Sequence, residues 1–224
     1  MGFVSDSLTI AGKDLTVEWR SRERIVGMLT FSVLVAVVFS FSIDPAVPAR
    51  PLFSAMIWVT ILFAGLLGLG RSFGIEKEQD AIVGVLLTPI DRGAFYFGKF
   101  LANLGLLLTA VAAIYFIYAL FFQLDTGSSA FGLALIICLG CVGFMALGTL
   151  FSAVSAGTRM GETILPILLL PLLIPVVIFG AAATQRLLNG RPLDEIMGFV
   201  RMLVVFDLIF LIVCTLIFDS VVEE

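Results

Sequence analysis

Histidine is absent from this chain and charge is scarce. The 224 residues contain no His, 13 Lys or Arg and 17 Asp or Glu, so that only 13% are charged. Without histidine there is no ordinary general base, no imidazole metal ligand and no axial imidazole for a haem. No carboxylate pair, nucleophile–base pair or metal-ligand cluster stands out. The chain is therefore not expected to be an enzyme by itself, and no directly bound cofactor or metal is expected. The first 24 residues are mixed-charge and lack the apolar core of a cleavable signal peptide.

What is abundant is apolar surface. Hydrophobic residues make up 60% of the chain and the mean hydropathy is +1.15. A soluble domain has about 25% charged and roughly 45–50% apolar residues. Here the surplus lies in runs long enough to cross a bilayer, which takes about 20 apolar residues. The expected fold is an all-α polytopic membrane protein, one domain over residues 1–224 with no soluble catalytic domain attached. Six spans can be read: 25–43, 52–73, 100–124, 129–155, 163–183 and 200–218. The third and fourth are joined by the polar turn "DTGSS", which makes them antiparallel neighbours.

Orientation follows from where Lys and Arg fall. Lys13, Arg20, Arg22, Arg24, Arg71, Lys77, Arg92, Lys99 and Arg159 lie on one side of these spans; Arg50, Arg186, Arg191 and Arg201 lie on the other. By the positive-inside rule both termini and the 74–99 segment face the cytoplasm.

Two pieces are neither spans nor simple loops. Within residues 1–24, Leu8, Ala11, Leu15 and Trp19 recur at helical spacing and are followed by "RSRER", including Arg20 and Arg22. That pattern predicts an amphipathic helix lying along the headgroups of the bilayer, with Trp19 as an anchor. On the other side, Leu193, Ile196, Met197 and Val200 share a face. A short interfacial helix over 192–199, leading into the last span, is expected.

The segment "GIEKEQDAIVGVLLTPIDRGAFYFGK", residues 74–99, is a polar island between apolar runs. Residues 76–88 could form a helix of about 20 Å at 1.5 Å per residue, too short to span. Glu76, Glu78, Gln79 and Asp80 crowd its first turn, where the helix dipole favours acids. Ile82, Val83, Leu86 and Leu87 supply an apolar half. Pro89 ends it, because the residue before a proline disfavours the α conformation. Asp91 is placed to cap the next helix, which runs through Lys99 into the third span. A helix so joined to two spans could pass a push from a cytoplasmic partner straight to both.

The same residues carry a resemblance. An acidic run, a small residue (Gly84), Leu86, Leu87, Thr88 and Pro89, then Arg92 and Lys99, is similar to the signature of ABC-2-type exporter permeases. Ala81-Ile82 stands where that family usually has Gly-Thr. "KDLTVEWRSRE" (13–23) leading into "VVFSFSID", and the proline-rich "LPILLLPLLIPVVIFGAAA" (165–183), resemble the haem exporter protein B family, CcmB, of cytochrome c maturation. The resemblance covers nearly the whole chain. It implies a six-helix permease subunit in the bacterial cytoplasmic (inner) membrane, with 74–99 as a coupling segment docking on a separate ATPase (CcmA-like) that holds ATP and Mg²⁺. It further implies as partners a haem-handling membrane protein C (CcmC-like), a small membrane protein D and a periplasmic haem chaperone E (CcmE-like); no nucleic acid is expected. Haem could pass through this subunit as transient cargo, at a site of Met, Phe and Tyr, or the subunit could only transmit force. The absence of histidine favours the second. An ABC-2 permease for a lipid, drug or polysaccharide is the alternative function.

Remaining features are read more simply. Pro166, Pro171 and Pro175 each remove an N–H donor from the fifth span and free the carbonyl four residues back. That span is expected to be bent or locally unwound and packed against protein on that side, either as a pathway wall or partner surface or as a static kink. "GAFYFGKF" (93–100) imitates a P-loop, but Phe100 replaces the Mg²⁺-binding hydroxyl and no strand precedes it. Cys138 and Cys141, beside Gly140 and Gly143, and the glycines 65, 68, 70 and 74 read as close-packing faces. Asp207, deep in the last span, either lines a wet vestibule, meets a partner subunit, or pairs with Arg201.

Overall fold

An apolar run in hydrocarbon must satisfy its own backbone, which makes a helix of every such run. The computed structural model describes residues 2–44, 49–73, 90–122, 127–156, 158 and 161–222. Among them are seven α-helices: α1 Phe3–Ser21, α2 Glu23–Ser42, α3 Ala49–Gly70, α4 Arg92–Phe122, α5 Ala130–Ala156, α6 Gly161–Leu188 and α7 Leu193–Val222. Helices α2 to α7 each contain a stretch long and apolar enough to cross a membrane. With α1 they give the polytopic all-α architecture expected, alternating in direction. One end of the bundle gathers the α1–α2 break, the end of α3, the start of α4 and the end of α5; this is called the base below.

Helices α3 and α5 are the most buried spans and α2 and α7 the least. Small residues let the central helices approach. A Cβ on Gly65 of α3 would lie 2.2 Å from Phe144 of α5, and one on Gly148 of α5 would lie 2.3 Å from Leu69 of α3. Trp58 of α3 is held between Gly140 of α5 and Gly180 of α6, and its indole N–H donates to Thr184 Oγ1 at 3.1 Å. Across α3 and α4, Thr60 and the Tyr118 hydroxyl share a 2.7 Å hydrogen bond. Gly68 meets Met28 of α2, whereas Gly70 has nothing within 4 Å and so is not part of the packing face; Gly74 lies outside the described residues.

Two expectations are modified. Residues 193–199 run without a break into the last span as the single helix α7. The proline-rich span is not unwound: Pro166, Pro171 and Pro175 sit inside the continuous helix α6. The ring fixes φ near a helical value, so a proline removes one donor without forcing a change of secondary structure. Nor do the described residues cover the affected side. Leu165, Leu169, Leu173 and Val176 face inward, while Ile167 and Pro171, whose carbonyls lose their donors, are exposed.

Candidate functional site

The base of the bundle is built around a buried group of charged and polar side chains. It begins with α1, whose residues Ser7, Ala11, Asp14 and Glu18 recur at spacings of four, three and four and so share a face. That face is turned inward: Ser7, Ala11 and Glu18 are buried and Asp14 is 12% exposed at its side chain. It packs along the first turns of α4. Ser7 Oγ donates to the Ala94 carbonyl at 3.0 Å, and a Cβ on Gly98 would lie 2.7 Å from the Ser7 carbonyl oxygen. Leu8, Leu15 and Trp19 are exposed instead, with the Arg22 guanidinium over the Trp19 ring and Arg20 beside them at the surface. Ala11 thus belongs to the inner face, not to the outer stripe expected for it. The amphipathic helix keeps its acids for the bundle and its large apolar side chains for the outside.

The chain breaks between α1 and α2 at Arg22, which is left-handed at φ 55°. A non-glycine residue there costs about 1–2 kcal/mol. Glu18 offsets it: its Oε1 accepts the N–H groups of Arg24 (3.0 Å) and Ile25 (3.2 Å), capping two of the amides that open α2.

From this corner a polar cluster extends across the base. Arg24 Nε donates to the Gly68 carbonyl at 2.8 Å and lies 3.9 Å from Glu18 Oε2; its Nη2 donates to Asn103 Oδ1 at 2.6 Å. Asn103 Oδ1 also accepts from Ser72 Oγ at 2.9 Å, and its Nδ2 donates to Thr149 Oγ1 of α5 at 3.1 Å. Lys99, only 2% exposed at its side chain, places Nζ 2.9 Å from Asp14 Oδ2. The same ammonium donates to the Ser72 carbonyl at 3.3 Å and sits 4.9 Å above the Phe73 ring. Ser152 Oγ closes the group on the Leu69 carbonyl at 2.7 Å. Removing one partner from a buried pair of this kind costs roughly 3–5 kcal/mol, because the other charge is left uncompensated.

The cluster flanks the polar island on both sides. Ser72 and Phe73 are the last residues described before it; Asp91 Oδ1 then caps α4 as expected, accepting from the Ala94 N–H at 3.2 Å. The island's own residues, Glu76, Glu78, Gln79, Asp80, Ile82, Val83, Leu86, Leu87 and Pro89, lie outside the described residues.

The other sequence candidates fall elsewhere. Pro171 is on the outer surface of α6, and Pro166 and Pro175 are half-buried. Asp207 is 4% exposed and so is buried within this chain. It packs on α5, where a Cβ on Gly143 would lie 2.4 Å from Oδ1. Among the described residues neither carboxylate oxygen has a hydrogen-bond partner, and Arg201 is exposed on another face. Cys138 is exposed and Cys141 buried, with no disulfide. A cavity of about 270 Å³ between α4 and α5, lined by Val111, Tyr115, Leu133 and Cys138 among others, is almost wholly apolar. It is at the lower end of the size of ligand sites and lacks their convergent polar groups.

Sequence reasoning named Lys99 and Arg24 for orientation and for the motif, but not as members of one cluster with Asp14, Glu18, Ser72 and Asn103. Two signals were available: the four small or acidic residues sharing a face of α1, and Asn103 standing alone in an apolar span.

Comparison with known proteins agrees over almost the full length. A family model described as "CcmB protein" matches residues 6–223. The "Heme exporter protein B" of Rhodobacter capsulatus is 30% identical over 171 residues, covering 74% of this chain and 76% of the relative. Those of Pseudomonas aeruginosa and Escherichia coli strain K12 are each 28% identical, over 190 and 186 residues, with 83% and 81% of this chain and 83% and 82% of the relatives covered. The helical bundle with six apolar spans and the match along nearly every residue lead to one conclusion: this chain is a multi-pass membrane protein and belongs to the CcmB family.

Proposed function

We propose that this chain is the haem-exporter permease subunit of an ATP-driven complex for cytochrome c biogenesis. It sits in the bacterial cytoplasmic membrane with both termini and the base of the bundle in the cytoplasm. A separate ATPase subunit docks on residues 74–89, through the acidic run Glu76–Asp80 and apolar residues that include Leu86 and Leu87. A haem-handling membrane protein, a small membrane protein and a periplasmic haem chaperone complete the assembly. The chain hydrolyses nothing itself. It carries movement of the ATPase into the membrane, which supports release of the haem-loaded chaperone.

The observation that carries this reading is family membership along residues 6–223, with relatives named Heme exporter protein B. The positive-inside distribution of Lys and Arg supports the orientation, and the exposed Leu8, Leu15 and Trp19 suit α1 to the headgroup level. Deletion of the gene is expected to abolish covalent haem in c-type cytochromes while haem-loaded chaperone persists. Normal c-type cytochrome levels in the deletion strain contradict the proposal.

A further inference from the structure

We propose that the buried Asp14–Lys99 ion pair is the joint through which movement of the 74–89 segment reaches α1, α2 and α5, so that Asp14 and Lys99 are positioning residues for coupling. The inference rests on the function proposed above and specifies how the push enters the bundle.

Three observations support it. First, the two sides of the segment are bonded to each other. Lys99 Nζ donates to the Ser72 carbonyl at 3.3 Å, and Ser72 Oγ donates to Asn103 at 2.9 Å. The end of α3 and the start of α4 are therefore tied to each other. Second, the same ammonium holds α1 through Asp14 at 2.9 Å, with side-chain exposures of only 2% and 12%. Third, the opposite side of the cluster is tied on: Asn103 takes Arg24 of α2 at 2.6 Å and gives to Thr149 of α5 at 3.1 Å.

The choice of charges fits a mechanical role better than a stabilising one. A buried ion pair is on average no more stabilising than well-packed apolar side chains of the same volume, because desolvation offsets the attraction. What it adds is fixed geometry. Apolar helix faces slide past one another, whereas Lys99 has to keep its acceptors on α1 and at the end of α3 together. Aromatic rings of Phe73 and Phe95 stand 4.9 and 6.0 Å from the ammonium and help exclude water from it.

The test uses the whole complex, with Lys99→Met, Asp14→Asn and the double replacement Lys99→Met with Asp14→Leu. The double variant leaves no buried charge of the pair without its partner, and Lys13, which also pairs with Asp14 at 3.0 Å, is exposed to solvent, so this variant is expected to fold even if the single variants are lost. Four quantities are read: membrane abundance, ATPase subunit co-purified, ATP hydrolysis rate and covalent haem in c-type cytochromes. In the double variant the first three are expected to stay within about twofold of wild type while covalent haem falls by at least about fivefold, the lower end of a typical coupling between sites. Such uncoupling is not the signature of a merely structural pair. A folded variant that keeps full haem attachment overturns the joint. So does a loss of haem that only tracks lost abundance or lost ATPase. A wild-type chain that co-purifies no ATPase overturns the function itself, and is seen before any variant is compared.

Discussion

Trp58 gives the packing of the bundle a quantitative test. Its ring lies between two glycines on different helices: a Cβ on Gly140 would stand 2.2 Å from Cη2, and one on Gly180 2.2 Å from Cζ2. The ring cannot back away from either, because the other glycine's helix is behind it and the hydrogen bond to Thr184 fixes its edge. Gly140→Ala therefore overpacks α3 against α5 and costs roughly 1–3 kcal/mol. At about 2–4 °C per kcal/mol for a chain of this size, the melting temperature falls by roughly 2–12 °C. Trp58→Leu alone also destabilises, through the lost ring. In the Trp58→Leu background, however, the new methyl enters space the ring has vacated. The cycle should show a favourable interaction of about 0.5–3 kcal/mol, so that the double variant is more stable than the sum of the singles. Thermal unfolding of the detergent-purified chain, followed by size exclusion, measures all four corners. Strictly additive shifts, or a Gly140→Ala variant as stable as the parent, refute the sandwich.

Other regions respond in their own ways. Gly98→Ala has to move α1, because the new Cβ would lie 2.7 Å from the Ser7 carbonyl and 2.8 Å from Ile10 Cβ; faster tryptic cleavage after Lys13 and Arg20 is expected, and unchanged cleavage argues against the α1–α4 contact. Asp207→Leu removes a buried carboxylate with no hydrogen-bond partner among the described residues, whose desolvation costs about 1–3 kcal/mol or more. The purified chain should melt higher, and a lower melting temperature contradicts the reading of an unpartnered carboxylate. Glu78→Lys and Leu86→Asp, in the proposed docking segment, should each weaken co-purification of the ATPase; full retention by both contradicts docking there.

Much of this was legible before the structure. The six spans follow from run length alone, since an apolar stretch in a bilayer has only the helix available to it. The start of α4 was legible in Asp91, a capping residue just after Pro89. What periodicity does not give is which face of a helix points inward. On α1 the stripe of Leu8, Leu15 and Trp19 was visible, but the face that enters the bundle is the one bearing Asp14 and Glu18. In a membrane protein apolar side chains have a favourable place outside, so the usual rule of burial has no force here. The cluster itself depends on tertiary contacts, since Lys99 is far from Asp14 in sequence and Arg24 far from Asn103. Helix arithmetic would have settled the proposed Asp207–Arg201 pair: six residues apart, they stand about 120° apart around the helix. The interior placement of Asp207 against Gly143 was not legible from one helix.

The function turns on whether ATP hydrolysis in another subunit does work through this chain. The proposed complex of this chain with its ATPase and the haem-loaded chaperone can be reconstituted in vesicles, given ATP, and assayed for chaperone set free. Release is expected with ATP and the wild-type chain, and retention with a non-hydrolysable analogue or with Leu86→Asp. Equal release with and without hydrolysable ATP would contradict the account.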